Sequence, residues 1–309
     1  VSAQRVGHAY GCALLRSRPA LRRSRFSPGP RMHAPTLTPT PTSEGAAPVS
    51  TAPVSTAPTS APLPFELVCP AGSLPALKAA VDNGASCVYL GLRDATNARN
   101  FAGLNFDEAA IASGIAYAHA RGCKVFMALN TYPQAANPAP WRVAVDKAVD
   151  LGVDAVILAD PGLMQYAAQH HPKLRLHLSV QGSATSADAI NFYREQFGIV
   201  RAVLPRVLAV EQVQRVIDNT PVEIEVFGFG SLCVMVEGRC ALSSYVTGES
   251  PNTHGVCSPA KAVRWQETPK GLESRLGGVL IDRYGPGENA GYPTLCKGRF
   301  DVGEDENYY

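Results

Sequence analysis

Between residues 65 and 230 the sequence alternates short apolar runs with segments of helical periodicity, and this alternation constrains the fold more than any other feature. Each segment between the runs places its apolar side chains on one helical face. Repeated strand–helix units predict parallel strands joined by right-handed crossovers. The seven candidate strands are ELVCPAG (66–72), CVYLGL (87–92), KVFMALN (124–130), AVILAD (155–160), RLHLSVQ (175–181), RAVLPR (201–206) and VEIEVFGFG (222–230).

Two architectures suit such a repeat, a (β/α) barrel and an open doubly wound sheet. No G-x-G-x-x-G motif follows the first strand, and its absence removes the main support for a nucleotide-binding open sheet. The sequence therefore favours an α/β fold with a TIM-like (β/α) barrel over residues 65–230. The run GVLIDRYG (278–285) is a candidate eighth strand; without it, the barrel is incomplete at the C-terminus.

The composition of residues 1–64 does not suit a folded core. Residues 1–31 hold seven Arg and no acidic residue, which resembles a transit peptide or upstream sequence read through in a gene model. The following stretch is rich in Pro, Thr, Ser and Ala and contains the near-repeat APVSTAPVSTAPTSAP (47–62). Such a segment buries too little apolar surface to offset its ordering entropy. The sequence therefore predicts a disordered tail over residues 1–64.

The charge of the rest of the chain excludes some classes of function. Outside residues 1–31 there are 21 Lys and Arg against 26 Asp and Glu. A mildly acidic body argues against nucleic-acid binding through a broad basic surface. No stretch of about 18 apolar residues is present, which argues against a transmembrane helix. With no secretory signal in view, a cytoplasmic, reducing compartment is expected, where clustered cysteines bind metals more often than they form disulfides.

Four of the eight cysteines cluster in the last quarter of the chain. Cys233, Cys240, Cys257 and Cys296 are separated by 6, 16 and 38 residues. Thiolates suit Zn²⁺ and iron–sulfur clusters, but neither a C-x₂₋₄-C knuckle nor a C-x₂-C-x₂-C run is present. Spacing alone indicates a four-cysteine metal site but does not identify the metal. Disulfides or unrelated thiols are the alternatives. The Gly- and Pro-rich segment 231–309 is predicted to be an irregular lobe held by this site.

The chemistry of a (β/α) barrel lies at the C-terminal ends of its strands. The loop DATNARNFAGLNF (94–106) follows the second candidate strand, and it is long and bears Asn and Arg, as binding loops often are. We select Asn97, Arg99 and Gln181 as candidates for substrate binding. Loop capping and ion pairing are the alternative interpretation of these residues and of the other polar residues at strand ends, Asn130, Asp160, Ser179 and Arg206.

About residues 65–300 resemble the UbiU-like, ubiquinone-biosynthesis members of the collagenase-like peptidase family. The resemblance is carried by ELVCPAGSLPALKAAVDNGA, TNARNFAGLNF, VLPRVL and FGSLCVMVEGRCALSSYVTGESPNTHGVCSPA, and by all three cysteine gaps. It implies a [4Fe–4S] cluster bound by Cys233, Cys240, Cys257 and Cys296. It also implies a heterodimer with a UbiV-like partner and oxygen-independent hydroxylation of a ubiquinone precursor. Other members of the family act on ribosomal or transfer RNA or are described as proteases.

The sequence also bears on the extent of the chain and on two alternative functions. UbiU-like proteins extend beyond the point where this sequence stops, so a C-terminal truncation that lacks the last barrel strand is expected. A peptidase would need an activated nucleophile or a metal-bound water; Cys69 with His177 is the one candidate pair, since no G-x-S-x-G or H-E-x-x-H motif is present. A non-catalytic, cluster-bearing scaffold is the third hypothesis.

Overall fold

The computed structural model describes residues 65–101, 103–230 and 240–297, and the backbone of residues 11–15. Seven parallel strands alternate with helices, which confirms the TIM-like α/β barrel predicted from the sequence. Each strand pairs in parallel with the next along the chain, from β2 to β8. These strands are β2 (Leu67–Pro70), β3 (Cys87–Leu90), β4 (Lys124–Leu129), β5 (Ala155–Leu158), β6 (Leu176–Leu178), β7 (Arg201–Val203) and β8 (Glu223–Phe229).

Six helices cover the outside of this sheet, and four of them begin at a side chain that caps their N-terminus. Ser73, Asp107, Asp160 and Ser186 each accept a hydrogen bond from the backbone N–H three residues later. The helices are α1 (Leu74–Asp82), α2 (Glu108–His119), α3 (Ala139–Asp150), α4 (Pro161–His170), α5 (Ala187–Phe197) and α6 (Val210–Asp218).

Alternation along the strands divides the buried side chains into two sets. Val88 and Val125 belong to the larger apolar core, which the helices cover. Cys87, Phe126 and Ile157 belong to a smaller cluster inside the barrel. Because successive side chains of a strand point to opposite faces of the sheet, neighbouring residues serve the two cores.

The position between β2 and β8, where an eighth parallel strand would lie, is taken by a strand from the N-terminal segment. β1 (Gly11–Leu15) pairs antiparallel with both β2 and β8 and closes the barrel. The prediction of disorder therefore does not hold for these five residues; the rest of residues 1–64 lies outside the described residues. Their apolar composition, GCALL, suits a strand that satisfies two otherwise unpaired sheet edges.

The run considered for the eighth strand lies elsewhere. Val279–Tyr284 forms β11 of a separate three-stranded antiparallel sheet with β9 (Val263–Thr268) and β10 (Gly271–Leu276). The segment that was predicted to be irregular thus contains a regular meander. The turn from β10 to β11 is built at Gly277 and Gly278, which both have positive φ.

A buried ion-pair cluster lies at the N-terminal end of the barrel. Arg201, the first residue of β7, is 2% exposed and donates to Glu66 Oε2 at 2.6 Å and to Glu223 Oε2 at 3.0 Å. Its Nη1 lies 3.6 Å from Glu225 Oε2, and Lys124 Nζ donates to Glu66 at 2.6 Å. Glu66 precedes β2 and Glu223 begins β8, so one guanidinium joins β7 to both strands that flank β1.

Replacing Arg201 tests how strongly this cluster holds the barrel. Arg201→Met removes the shared cation and leaves buried carboxylates without their main partner. We expect a loss of roughly 3–5 kcal/mol in the free energy of unfolding, measured by urea denaturation. Lys147→Met is the matched control, because Lys147 pairs with Glu108 at the surface, and it should cost less than about 1 kcal/mol. A similarly small loss for Arg201→Met would contradict the assigned role.

The same cluster makes stability depend on pH. Burial raises the pKa of Glu66, but the hydrogen bonds from Lys124 and Arg201 more than offset this and bring it to about 2, from 4.5. A depressed carboxyl pKa stabilises the fold above the unfolded-state value, and that stability is lost as pH falls towards the folded-state value. Urea midpoints should therefore fall between pH about 5 and about 3, and less steeply in Glu66→Gln. Equal slopes for the two proteins would show that Glu66 does not carry the effect.

Candidate functional site

The cysteine-bearing lobe is built from short elements that follow the barrel. Cys240 caps the N-terminus of α7 (Ala241–Thr247), and α8 (Pro251–His254) precedes Cys257. Cys296 lies in a single 3₁₀ turn, Leu295–Lys297, which contacts α7. Residues 231–239, and with them Cys233, lie outside the described residues.

The lobe docks directly on the C-terminal end of the barrel. Asn100 N–H donates to Gly255 O at 2.9 Å, and Tyr132 N–H donates to Asn252 O at 2.7 Å. Gly255 has φ +84°, and a Cβ at this position would lie 2.6 Å from Asn97 O. Only glycine allows the two backbones to approach this closely. The contact brings the chain that leads into Cys257 against the predicted binding loop.

The loop 94–106 is held rigid by its own amide side chains. Asn97 is 4% exposed; its Nδ2 donates to Leu92 O and to Asn105 Oδ1, and its Oδ1 accepts from Arg99 N–H. Asn105 adopts a left-handed φ of 71° and donates to Arg99 O at 2.9 Å. Asparagine tolerates that conformation better than most residues. Two amides therefore fix the backbone of Arg99 from both sides.

Three of the four predicted ligands lie among the described residues of the lobe, and two of them act electrostatically on the third. Cys240 Sγ accepts from Ser243 N–H at 3.4 Å and lies 3.3 Å from Ser243 Oγ. Burial raises the pKa of the Cys257 thiol, the positive charge of Arg99 lowers it, and Cys296 and Cys240 raise it again. Arg99, Cys240 and Cys296 thus all act electrostatically on the Cys257 thiol, although 38 residues separate Cys257 from Cys296.

The donor chemistry of this neighbourhood suits a thiolate-bound cluster. Three half-buried thiols supply sulfur donors, and an N–H at the start of a helix and a nearby guanidinium stabilise negative charge on sulfur. Within residues 65–101, 103–230 and 240–297, no three His, Cys, Asp or Glu side chains already stand in metal-binding geometry. The full four-cysteine set includes Cys233, so ligation by all four remains a prediction.

The three candidates for substrate binding fall into different surroundings. Both ends of the Asn97 amide bond to its own loop and to the end of the preceding segment at Leu92. Among the described residues Arg99 Nη1 donates to Ala98 O at 3.0 Å, and its charge acts on Cys257. Gln181 is 3% exposed, and its Oε1 has no hydrogen-bond partner among the described residues. Tyr132 Oη donates to Gln181 O at 2.8 Å, which ties Gln181 to the loop beneath the lobe.

The other polar residues at strand ends are already engaged in local structure. Asn130 Oδ1 accepts from Ala98 N–H, which couples the loops after β3 and β4. Asp160 caps α4, and Ser179 Oγ accepts from Gln181 N–H. Arg206 lies over the ring of Phe227, 3.6 Å from its centroid.

Tyr292 was not selected from the sequence, although it lies close to the thiols. Burial raises the pKa of Tyr292, and the Cys257 thiol raises it further. Its ring packs edge-on against Phe101 at 5.5 Å, and its hydroxyl donates to Ser258 O at 3.1 Å. Tyr292 thereby connects the predicted binding loop to the segment that follows Cys257. A lone aromatic in a Gly/Pro-rich stretch carries no periodic signal that could have revealed this contact.

The pair considered for a peptidase is not brought together. Cys69 packs against the core between sheet and helices, and burial raises its pKa. His177 lies inside the barrel against Phe126, and neither ring nitrogen has a hydrogen-bond partner among the described residues. Since the two side chains lie on opposite faces of the barrel wall, they do not form a nucleophile–base pair.

Comparison with known proteins identifies the family. Residues 72–278 match the family described as Peptidase family U32. The chain belongs to this family. Among the U32 relatives, the tRNA hydroxylation protein P of Escherichia coli K12 is 34% identical over 224 residues, 72% of this chain and 48% of that protein. The Collagenase of Porphyromonas gingivalis is 32% identical over 231 residues, 71% of this chain and 54% of that protein.

A third relative acts on ribosomal RNA by its name. The 23S rRNA 5-hydroxycytidine C2501 synthase of Escherichia coli K12 is 32% identical over 196 residues, 63% of this chain and 29% of that protein. This chain spans about half the length of curated relatives that it matches, such as the tRNA hydroxylation proteins P of Escherichia coli and Haemophilus influenzae. In the part of the chain that the structure describes, no helix is long and apolar enough to cross a bilayer.

Substitution of Gly255 tests the docking of the lobe. Gly255→Ala forces a Cβ against Asn97 O, so we expect the Asn100 amide, which donates to Gly255 O, to exchange with deuterium at least about tenfold faster. Gly248→Ala is the matched control: Gly248 also has a positive φ (+74°), but nothing lies within 4 Å of its Cβ position. Equal protection of Asn100 in both variants would mean that close packing at Gly255 does not hold the lobe.

Proposed function

We propose that this U32 protein binds an iron–sulfur cluster through Cys233, Cys240, Cys257 and Cys296 and takes part in oxygen-independent hydroxylation of an unsaturated ring. The observation that supports the proposal is the docking of the lobe that carries Cys240, Cys257 and Cys296 on the end of the barrel where (β/α) enzymes place their chemistry, with Arg99, Cys240 and Cys296 all acting electrostatically on Cys257. Bound there, a [4Fe–4S] cluster supplies electron transfer. The names of two relatives support hydroxylation as the class of reaction.

The chain's own residues have separate tasks in this proposal. Asn97 and Asn105 fix the loop, Arg99 supplies positive charge beside the sulfur ligands, and Gly255 allows the lobe to close over the strand ends. Gln181 offers a buried amide oxygen with no partner among the described residues, which suits a group that orients a ring substituent. The docked lobe also shields this end of the barrel from water.

Two substrate classes follow from two different observations. The gaps of 6, 16 and 38 residues between the cysteines are those of UbiU-like proteins, and the chain outside residues 1–31 is acidic; both favour a ubiquinone precursor and a UbiV-like partner. The relatives named for tRNA and 23S rRNA hydroxylation favour an RNA base. We propose the quinone ring first and the RNA base as the second candidate.

A product profile from anoxic cells separates these substrates. Cells that lack the protein are complemented with the wild type, Cys257→Ala or Cys69→Ala, and both hydroxylated quinone intermediates and modified nucleosides are quantified by mass spectrometry. We expect the wild type and Cys69→Ala to restore hydroxylated quinone, and Cys257→Ala to lower it by at least about tenfold, because a missing ligand prevents cluster assembly.

The other outcomes are equally informative. Restoration of a hydroxylated nucleoside in place of the quinone would move the assignment to RNA. Full activity of Cys257→Ala would reject the cluster-dependent reaction, and loss of a proteolytic activity in Cys69→Ala would revive the peptidase hypothesis.

A further inference from the structure

A polar cavity of about 260 Å³ lies at the N-terminal end of the barrel, opposite the cysteine-bearing lobe. Its walls come from residues at or just before the start of their strands, and from two ring side chains one step further inside. The lining residues are Lys124, Phe126, Asp154, Arg175, His177, Arg201 and Glu223. Neither the family resemblance nor the relatives assign a role to this end of the molecule.

His177 is the residue that an ordinary barrel core does not explain. Its side chain is 1% exposed, lines the cavity and stacks edge-on against Phe126 at 4.8 Å. Neither Nδ1 nor Nε2 has a hydrogen-bond partner among the described residues. A buried polar group without a partner destabilises the fold, so a molecule in the cavity that hydrogen-bonds to the ring would recover this loss.

Some hydrogen-bonding groups around the cavity already have partners among the described residues, and others do not. The carboxylates are engaged: Asp154 Oδ2 accepts from Val125 N–H at 2.7 Å and lies 2.8 Å from His119 Nε2, while Glu223 Oε2 accepts from Arg201. Arg201 Nη1 has an ionic contact with Glu225 at 3.6 Å but no hydrogen bond among the described residues. The available groups are thus mainly donors.

The mouth of the cavity adds a further cation. Arg175 is half exposed, and its ion pair with Glu223 Oε2 is long, at 3.8 Å. The charged lining residues comprise three cations and two carboxylates, with Glu66 and Glu225 behind them, bonded to or facing Arg201. Donors that converge on a small cavity suit a ligand rich in acceptor oxygens.

We propose that this cavity is a binding site for a small oxyanion, a phosphate or a carboxylate, contacted by His177, Arg201 and Arg175. The Arg201 Nη1 and the Arg175 guanidinium donate to its oxygens. A neutral imidazole donates through one nitrogen and accepts through the other. An oxyanion that carries one O–H, as phosphate does near neutral pH, therefore complements both available sides of His177.

The state of His177 agrees with this assignment. Burial lowers the pKa of His177 well below 6.5, and the charges of Arg201, Arg175 and Lys124 lower it further. The ring is therefore neutral in the free protein, so that it presents one donor and one acceptor to the cavity. A buried imidazolium beside three cations would be far more costly.

Calorimetric titration of the full chain tests the site directly. Inorganic phosphate, sulfate and acetate are each titrated into protein in an anion-poor buffer. We expect a saturable phosphate isotherm that weakens at least about tenfold in Arg175→Met, because this side chain lies at the mouth and carries no part of the core. Arg194→Met is the matched control, since Arg194 is exposed on α5 away from the cavity and should bind as the wild type does.

His177→Phe provides a second readout with a ring of similar size. It should unfold cooperatively but lose the phosphate isotherm, and a phosphate-grown crystal of the wild type should hold the anion against His177. Saturable acetate binding in place of phosphate assigns the site to carboxylates and supports the shared chemistry. No saturable heat with any of the three anions, equal weakening by Arg194→Met, or a crystal with only water in the cavity would overturn the proposal.

Discussion

The structure depends on how a barrel of seven parallel strands closes. At the N-terminal end, the Arg201 guanidinium bonds to Glu66, which precedes β2, and to Glu223, which begins β8. Along the strands, β1 closes the barrel because its backbone pairs with β2 on one side and with β8 on the other. Burying these charges is costly unless they are paired, so the cluster fixes the relative positions of the strands as much as it stabilises them. The cysteine-bearing lobe at the opposite end docks on the barrel that these contacts close.

The strands and the helix starts could be predicted because they are local. An apolar run of six or seven residues, or an Asp or Ser directly before the first helical turn, carries its signal in a short window. The contact between Arg201 and Glu66 could not, because 135 residues separate them and each looks like an ordinary surface charge in the sequence. The pairing of Gly11–Leu15 was hidden for a similar reason: five apolar residues in an Arg-rich tail do not stand out from their surroundings.

The candidate site divides in the same way. Spacing and resemblance selected the four cysteines, and among the described ones Cys240 and Cys296 act electrostatically on Cys257; ligation by the four stays a prediction. The docking of the lobe depends on Gly255, Asn97 and Tyr132, whose roles arise only when two backbones meet. Asn97 was selected as a binding residue for its position in a polar loop, yet both ends of its amide serve the loop itself. The sequence could predict that these residues lie at this end of the barrel. Whether an amide is hydrogen-bonded within its loop or has no partner there is visible only in the structure.

Iron K-edge X-ray absorption of protein purified without oxygen tests the central claim, a cluster held by four cysteines at the mouth of the barrel. The account predicts an all-sulfur first shell around iron, an iron–iron scattering path, and loss of that path in Cys257→Ala. An iron-free protein, a zinc spectrum, or a first shell of nitrogen and oxygen would contradict it.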